Sequence, residues 1–176
     1  MKELSLNILD VAENSVKAGA TFTEIRINET DNELVISIKD DGCGMSEETL
    51  RSVTNPFYTT RTTRKVGLGI PFFKLAAEQT GGRLEIASDT GEFHGTTVTA
   101  YFYKNHLDFT PLGDVTSSII TLIQGHPDVN FLFVHTTGDK EIRLDTRELR
   151  SVLEGVPLDT YEVLAWIKSY LEEQYC

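Results

Sequence analysis

Cysteine is scarce in this chain, which has only Cys43 and Cys176. Two cysteines so far apart form neither a disulfide framework nor the spacing of a metal site. Long apolar runs are lacking too, because no stretch reaches the roughly 18 residues that a membrane helix needs. The N-terminus lacks the basic and then apolar order of a signal peptide. These absences argue against a secreted or membrane-spanning chain, and we expect a cytoplasmic protein.

Basic residues are also few: 16 lysines and arginines stand against 27 aspartates and glutamates, for a net charge of −11. A surface with this balance repels phosphate backbones and anionic lipids, so we expect neither nucleic acid nor a membrane as partner. Apolar residues make up 40% of the chain, enough to bury a core. The composition changes after Lys104, which predicts two parts: residues 1–104 and a small α/β region at residues 105–176.

Apolar periodicity and capping residues predict helices and strands in both parts. In the first part they predict a helix at 3–18, strands at 23–28 and 34–39, a short helix from Ser46, a helix at 71–79, and strands at 83–88 and 96–103. In the second part they predict a helix at 113–124, a hairpin of strands at 129–135 and 141–144, and two helices that begin with capping boxes. We expect the last helix to present one apolar stripe, formed by Tyr161, Leu164, Ile167 and Leu171.

The sequence DDGCGM, which begins with Asp40, is the most informative stretch. The alternation along residues 34–39 places Asp40 on the inward face of its strand, where a carboxylate is costly unless something hydrogen-bonds to it. Gly42 and Gly44 allow a sharp turn and the close approach of a flat ligand. Thr96 has the inward parity of a later strand and lies near Asp40 if the two strands are neighbours. The pattern predicts a pocket that reads an amino-bearing ring such as adenine.

The first helix carries three polar side chains on one face, because Asp10, Asn14 and Lys17 are spaced at i, i+4 and i+7. Mg²⁺ takes oxygen ligands, keeps several waters and is bound together with phosphates. Asn14 can supply one oxygen to such an ion, Lys17 can contact a phosphate, and Asp10 can orient a water. An ordinary solvated helix face is the alternative interpretation.

A cationic loop precedes the helix predicted at residues 71–79. Residues 61–65 hold three cations, and residues 67–69 follow with the sequence GLG. Glycines that open a helix expose backbone N–H groups at its positive end, which suits a phosphate. A plain turn is the alternative, since a short Gly-x-Gly is a weak signal. The familiar GxGxxG, GxxxxGK[ST] and HExxH motifs do not occur in the sequence, so we expect a phosphate site of another kind.

Taken in order, these motifs resemble those of the GHKL superfamily, the nucleotide-binding domain shared by gyrase, the heat-shock chaperones, histidine kinases and MutL. The resemblance covers about residues 1–103. It implies the Bergerat ATP-binding fold: an α+β, two-layer α/β sandwich in which helices cover one face of a mixed sheet, here with a small α/β C-terminal extension. The matching stretches are residues 10–21 for the N box in its MutL form, 40–45 for the first glycine box, 55–58 with 67–70 and 78–82 for the F and second glycine boxes of histidine kinases, and 95–98 for the final box.

The resemblance also implies ATP and Mg²⁺ as ligands and assigns roles to residues. Asn14 would hold Mg²⁺, Asp40 would accept a hydrogen bond from the adenine amino group, and Thr96 would support that contact. Asp10 occupies the position of the general-base glutamate of the hydrolysing members. The other implied ATP-binding residues are Gly42, Gly44 and Met45 at the base, Lys17, Gly67, Leu68 and Gly69 at the phosphates, and Tyr58, Thr59, Thr60, Arg61, Lys65 and Val66 in a lid over the nucleotide.

Two departures from the family pattern bear on function. Lys65 replaces the usual first glycine of the second glycine box, which suggests a side-chain contact with phosphate. The chain begins at the N box, without the dimerisation region that carries the acceptor histidine of a histidine kinase. We therefore predict a stand-alone, histidine-kinase-like regulatory protein that phosphorylates a protein partner in trans, as anti-sigma-factor kinases do. Two alternatives stay open: an ATP-dependent conformational switch that binds a partner, and a slow ATPase of the MutL type that forms a homodimer.

Overall fold

The computed structural model describes residues 3–54 and 69–176, and these residues form six helices and six strands. The helices are α1 (Leu4–Lys17), α2 (Glu47–Ser52), α3 (Gly69–Gln79), α4 (Val115–Gly125), α5 (Thr146–Leu153) and α6 (Tyr161–Tyr175). The strands are β1 (Phe22–Glu29), β2 (Glu33–Asp40), β3 (Arg83–Asp89), β4 (Gly95–Tyr103), β5 (Asn130–Thr137) and β6 (Lys140–Asp145). None of the helices in these two ranges is long and apolar enough to cross a bilayer.

The strands form one mixed sheet in the order β3-β4-β2-β1-β5-β6. β1 and β5 are parallel, and every other neighbouring pair is antiparallel. The register aligns the inward apolar positions across the sheet, because Ile38 of β2 lies opposite Ile25 of β1 and Val98 of β4. These side chains are buried beneath α1, α3, α4 and α6, whose apolar residues belong to the same core. The prediction of an α+β fold built on a mixed sheet is confirmed.

The local sequence explains where the first helices begin and end. One face of α1 is buried, formed by residues that include Leu4, Ile8, Val11 and Ala12. The helix stops just before Gly19, whose positive φ of 81° an L side chain rarely adopts. Ser46 caps α2, because its hydroxyl accepts a hydrogen bond from the Thr49 N–H at 3.2 Å. α3 begins at Gly69, slightly before the predicted start at Pro71.

Residues 105–176 continue the sheet that the first part of the chain builds. The predicted hairpin forms as β5 and β6, and β5 pairs in parallel with β1 along its whole length. α4 packs beside α1, where the Ser118 hydroxyl donates to the Ser5 carbonyl at 2.9 Å. The division of the chain at residue 104 stays a prediction, and the residues beyond it supply two strands and part of the common core.

The stripe predicted for α6 is partly wrong. Ile167 and Leu171 are fully buried, but Val163 completes that face and Tyr161 is 80% exposed. Residues 163, 167 and 171 follow one another at i, i+4 and i+8, whereas Tyr161 lies about 120° around the helix from their mean direction. The aromatic residue at the start of α6 therefore lies at the surface, and Val163 takes the position on the buried face.

Candidate functional site

Asp40 is the last residue of β2, and its side chain is held on the inward side of the sheet. The buried Ser15 of α1 donates its hydroxyl to Asp40 Oδ2 at 2.6 Å. The Gly42 N–H donates to Asp40 Oδ1 at 2.8 Å. Each carboxylate oxygen thus has one neutral donor and keeps further lone pairs for a ligand. The partners offset the cost of placing a carboxylate at the edge of a core.

Thr96 lies directly across from Asp40 in the β2–β4 ladder, so the predicted neighbourhood of the two residues exists. The Thr96 hydroxyl lies 2.8 Å from the hydroxyl of Ser88, its neighbour on β3. Ser88 in turn accepts a hydrogen bond from the Met45 N–H at 2.7 Å. This chain of bonds fixes Met45 beside the ends of β3 and β4, close to Asp40.

The glycines after Asp40 form a close-packed floor. Gly44 has a φ of 78°, and a Cβ there would collide with the carbonyl of Asp89. A Cβ on Gly42 would lie 2.9 Å from the Cβ of Ala18, which is too close for a real contact. His94 Nδ1 donates to the Gly42 carbonyl at 2.5 Å and ties this loop to the start of β4. The loop therefore packs closely against Ala18 at Gly42 and against Asp89 at Gly44, two positions that only glycine suits.

The polar face predicted on α1 is present and lies against the start of α3. The Cβ position of Gly69 is 3.3 Å from Asn14 Nδ2 and 3.5 Å from Asp10 Cβ. Burial raises the pKa of the Asp10 carboxyl, the negative charge of Glu13 raises it further, and Lys17 opposes both effects. A carboxylate of raised pKa is a better proton acceptor than an ordinary one.

Asn7 extends this face by one turn and is unusual. It is 1% exposed, and among the described residues neither its side-chain oxygen nor its nitrogen has a hydrogen-bond partner. It precedes Asp10 by three residues and Asn14 by seven, so the three side chains follow one stripe of α1. An orphaned buried amide beside Asp10 leaves polar capacity for a water or a ligand.

The donor set suits an ion shared between protein and phosphates rather than one enclosed by the protein. Within residues 3–54 and 69–176, no three His, Cys, Asp or Glu side chains come together to hold a metal. Mg²⁺ needs no such cage, since one or two protein oxygens, waters and phosphates complete its shell. The half-buried Asn14 amide fits that requirement.

Several predicted site residues fall outside the part of the chain that the structure describes. The roles assigned to the lid and to the phosphate loop there stay predictions. These residues are Tyr58, Thr59, Thr60, Arg61, Lys65, Val66, Gly67 and Leu68. The other predicted residues, apart from Lys17, form two groups. One group lies at one end of the sheet and consists of Asp40, Gly42, Gly44, Met45 and Thr96. The second group lies where α1 meets α3 and consists of Asp10, Asn14 and Gly69. Lys17 is exposed in the last turn of α1.

Two residues that sequence reasoning missed support the site. Ser15 fixes Asp40, as described above. Asp41 accepts from the hydroxyl of Thr21 at 2.6 Å and from the N–H groups of Thr21 and Phe22 at 2.8 and 3.0 Å. Burial alone would raise the pKa of Asp41, but these hydrogen bonds hold it below its ordinary value. The sequence signal for Asp41 is its position directly after Asp40, because neighbouring residues at the end of a strand point to opposite faces. Asp40 points inward, and Asp41 anchors the turn before β1.

Comparison with known proteins agrees with the fold and the order of the motifs. The profile of the histidine kinase-, DNA gyrase B- and HSP90-like ATPase family matches residues 2–106, and the chain belongs to this family. Curated relatives include sporulation kinase C of Bacillus subtilis (strain 168), 33% identical over 92 residues that make up 52% of this chain and 21% of that protein. Sporulation kinase E of the same organism is 36% identical over 100 residues, 54% of this chain and 13% of that protein. The chain therefore spans about a fifth or less of the length of these relatives.

Two solved structures share the fold. One is an Aquifex aeolicus MutL ATPase domain complexed with ADP, with a TM-score of 0.54, 16% identity, and coverage of 88% of this chain and 70% of that chain. The other is the N-terminal domain of a DNA repair protein, with a TM-score of 0.56, 17% identity, and coverage of 82% and 53%. The family profile ends at residue 106, so both likenesses in fold extend into the C-terminal part.

Proposed function

We propose that this chain binds ATP together with Mg²⁺ and that Asp40 reads the adenine amino group. The observation that carries the proposal is the geometry of that carboxylate. It is fixed at the end of β2 by two neutral donors, Ser15 and Gly42. The glycine loop that follows it packs closely against Ala18 and Asp89. None of the ion pairs between described residues includes Asp40, which suits a carboxylate that accepts from an N–H donor of a ligand.

The rest of the nucleotide follows from the position of α1. Asn14 would hold Mg²⁺, which when bound would neutralise phosphate charge. Lys17 and the N–H groups at the start of α3 near Gly69 would contact the phosphates. Gly42, Gly44, Met45 and Thr96 would enclose the base. The family and the fold, which a MutL domain complexed with ADP shares, support this assignment.

Titration calorimetry with ATP and Mg²⁺ tests the proposal. Asp40→Asn removes the charge and turns one acceptor oxygen into a donor, so the affinity should fall at least tenfold, corresponding to about 1.5–3 kcal/mol for a hydrogen bond to a charged group. Asp31→Asn is the matched control, because Asp31 is an exposed residue of the β1–β2 turn at the other end of β2. Equal affinity for both variants and the wild type, or no binding by any of them, would refute the assignment.

We further propose a kinase-type regulatory role, in which the γ-phosphoryl group passes to a protein partner. The identity to sporulation kinases supports it, and so does the raised pKa of Asp10, which suits a group that accepts the proton of an attacking hydroxyl or imidazole. Incubating the protein and a lysate with γ-labelled ATP should label one partner, and Asp10→Asn should abolish the label while ATP binding persists. A lysate in which no protein is labelled would contradict the kinase role.

Slow hydrolysis coupled to homodimer formation is the second candidate, and the likeness in fold to MutL favours it. Under this alternative, the isolated protein should release phosphate, and its mass in light scattering should double with a non-hydrolysable analogue. A third outcome, ATP-dependent affinity for a partner without transfer or hydrolysis, would identify a conformational switch. The three outcomes differ in where the γ-phosphoryl group ends: on a partner, in water, or still on the nucleotide.

A further inference from the structure

The first helix, α1, is hydrogen-bonded to a histidine of the C-terminal part. His126, which follows the last residue of α4, donates from Nε2 to Glu13 Oε1 at 2.7 Å. Both side chains are about one-third or less exposed. Glu13 immediately precedes Asn14, and His126 lies beyond the residues that the family profile matches. The contact therefore joins the proposed Mg²⁺-binding turn to the part of the chain without a family assignment.

Glu13 has an alternative partner on its own helix. Lys17 follows it at i+4, and a glutamate four residues before a lysine is the more favourable order for an ion pair within a helix. Within the described residues, Glu13 is hydrogen-bonded to His126 and forms no ion pair with Lys17. The histidine thus holds the carboxylate away from the lysine, and the Lys17 ammonium stays exposed.

We infer that His126 is a positioning residue for the nucleotide site: by binding Glu13, it keeps Lys17 available for a phosphate. This inference rests on the proposed function of Lys17. If His126 releases Glu13, the carboxylate pairs with Lys17, which is then less available to a phosphate. This pairing weakens ATP binding without any change in the residues that contact the base.

The surroundings make this contact a route from the C-terminal part to the site. α4 is fastened to α1 at its opposite end, where Ser118 donates to the Ser5 carbonyl and the Leu4 N–H donates to the Pro111 carbonyl at 2.9 Å. The hydrogen bond between His126 and Glu13 joins the end of α4 to the residue of α1 that precedes Asn14. A partner that moves the end of α4 would therefore change whether the Glu13 carboxylate bonds to His126 or to Lys17.

The test is a set of variants measured by ATP calorimetry at low and high salt. His126→Ala should weaken ATP binding about two- to fivefold at low ionic strength, the range expected for one exposed ion pair, and less at high salt. Adding Glu13→Gln to His126→Ala should restore the wild-type affinity, because the amide does not compete for Lys17. In a Lys17→Gln background, His126→Ala should have little further effect.

Ser118→Ala is the matched control, since it removes another hydrogen bond between the same two helices. It should lower the melting temperature and leave the ATP affinity and its salt dependence unchanged. If His126→Ala has no effect on affinity, or if Glu13→Gln does not restore it, the inference is wrong. Wild-type protein that binds ATP through Asp40 would leave the proposed function intact in that case, whereas wild-type protein that binds no ATP would overturn the proposed function itself.

Discussion

Two carboxylates at opposite ends of the sheet illustrate two ways in which a protein can hold a negative charge. Glu29, at the end of β1, lies 3.0 Å from Lys104 Nζ and 2.7 Å from His135 Nε2. His135 is 4% exposed, and its other ring nitrogen lies 2.7 Å from the Tyr175 hydroxyl. Asp40, at the end of β2, is held by the neutral donors Ser15 and Gly42 in the part of the chain that the structure describes.

The difference between the partners separates a structural carboxylate from the one that we propose to bind the nucleotide base. Glu29 has its charge balanced by Lys104, the residue after β4, and its bond to His135 joins β1 to β5. His135 in turn bonds to Tyr175 of α6. Asp40 has its orientation fixed by its two donors, and under the proposed function its charge pairs with the N–H donor of a ligand. The partners of a half-buried carboxylate are therefore more informative about its function than its degree of burial is.

The largest effect on stability should come from the structural carboxylate. Glu29→Gln removes the charge that Lys104 and His135 face, and we expect the free energy of unfolding to fall by about 2 kcal/mol. ATP affinity should be unchanged, because Glu29 lies at the far end of the sheet. Urea unfolding and ATP calorimetry on the same sample check both halves. The comparison fails if Glu29→Gln alters nucleotide affinity more than stability.

Acid should weaken the same contact. Burial alone would raise the pKa of Glu29, but its bonds to Lys104 and His135 hold it below the ordinary value of 4.5. A carboxyl with a lowered pKa in the folded state contributes its stability above the unfolded pKa and loses it as the pH falls through the folded value. The stability difference between wild type and Glu29→Gln should therefore shrink as the pH falls below about 4.5. A difference that grows in acid would contradict this account.

The loss of a donor to Asp40, unlike the loss of the Glu29 charge, should lower the ATP affinity. Ser15→Ala removes the donor to Asp40 Oδ2 and should lower ATP affinity about three- to tenfold, with about 1 kcal/mol lost in stability. Asp40 then loses its fixed orientation while keeping its charge. Thr80→Ala serves as a control, because the buried Thr80 hydroxyl donates within the fold at the end of α3, to the Ala77 carbonyl at 2.8 Å. Equal ATP affinities of the two variants would show that Ser15 has no role in binding.

A smaller effect is expected at Thr96. Its hydroxyl lies 2.8 Å from Ser88, and Ser88 accepts from the Met45 N–H, so Thr96→Val should disturb Met45 only indirectly. We expect an affinity loss of about twofold or threefold, measured by the same calorimetry. A loss as large as that of Asp40→Asn would instead mean that Thr96 contacts the base directly and as strongly as the carboxylate does.

Much of the site follows from sequence, because local periodicity decides it. The alternation along β2 predicts that Asp40 points inward, and the helical spacing predicts one face for Asp10 and Asn14. The hairpin of β5 and β6 is equally local. What sequence could not predict depends on contacts between distant segments, such as the Ser15–Asp40 bond across 25 positions.

The parallel pairing of β5 with β1 shows the same limit. About a hundred residues separate the two strands, and no local pattern in either strand specifies a parallel partner. Tyr161 shows a limit of another kind. An aromatic residue at the start of an amphipathic helix fits two adjacent stripes, and only the packed core decides between them.

The central claim is that Asp40 recognises the amino group of adenine, and the affinity ratio of two nucleotides tests it most directly. ITP differs from ATP at the purine 6-position, where a carbonyl oxygen replaces the amino group and would face the carboxylate as a second acceptor. Calorimetry on the wild type should show ATP binding at least tenfold more tightly than ITP, and Asp40→Asn should reduce or reverse that ratio. Equal affinities of the wild type for the two nucleotides would contradict the account.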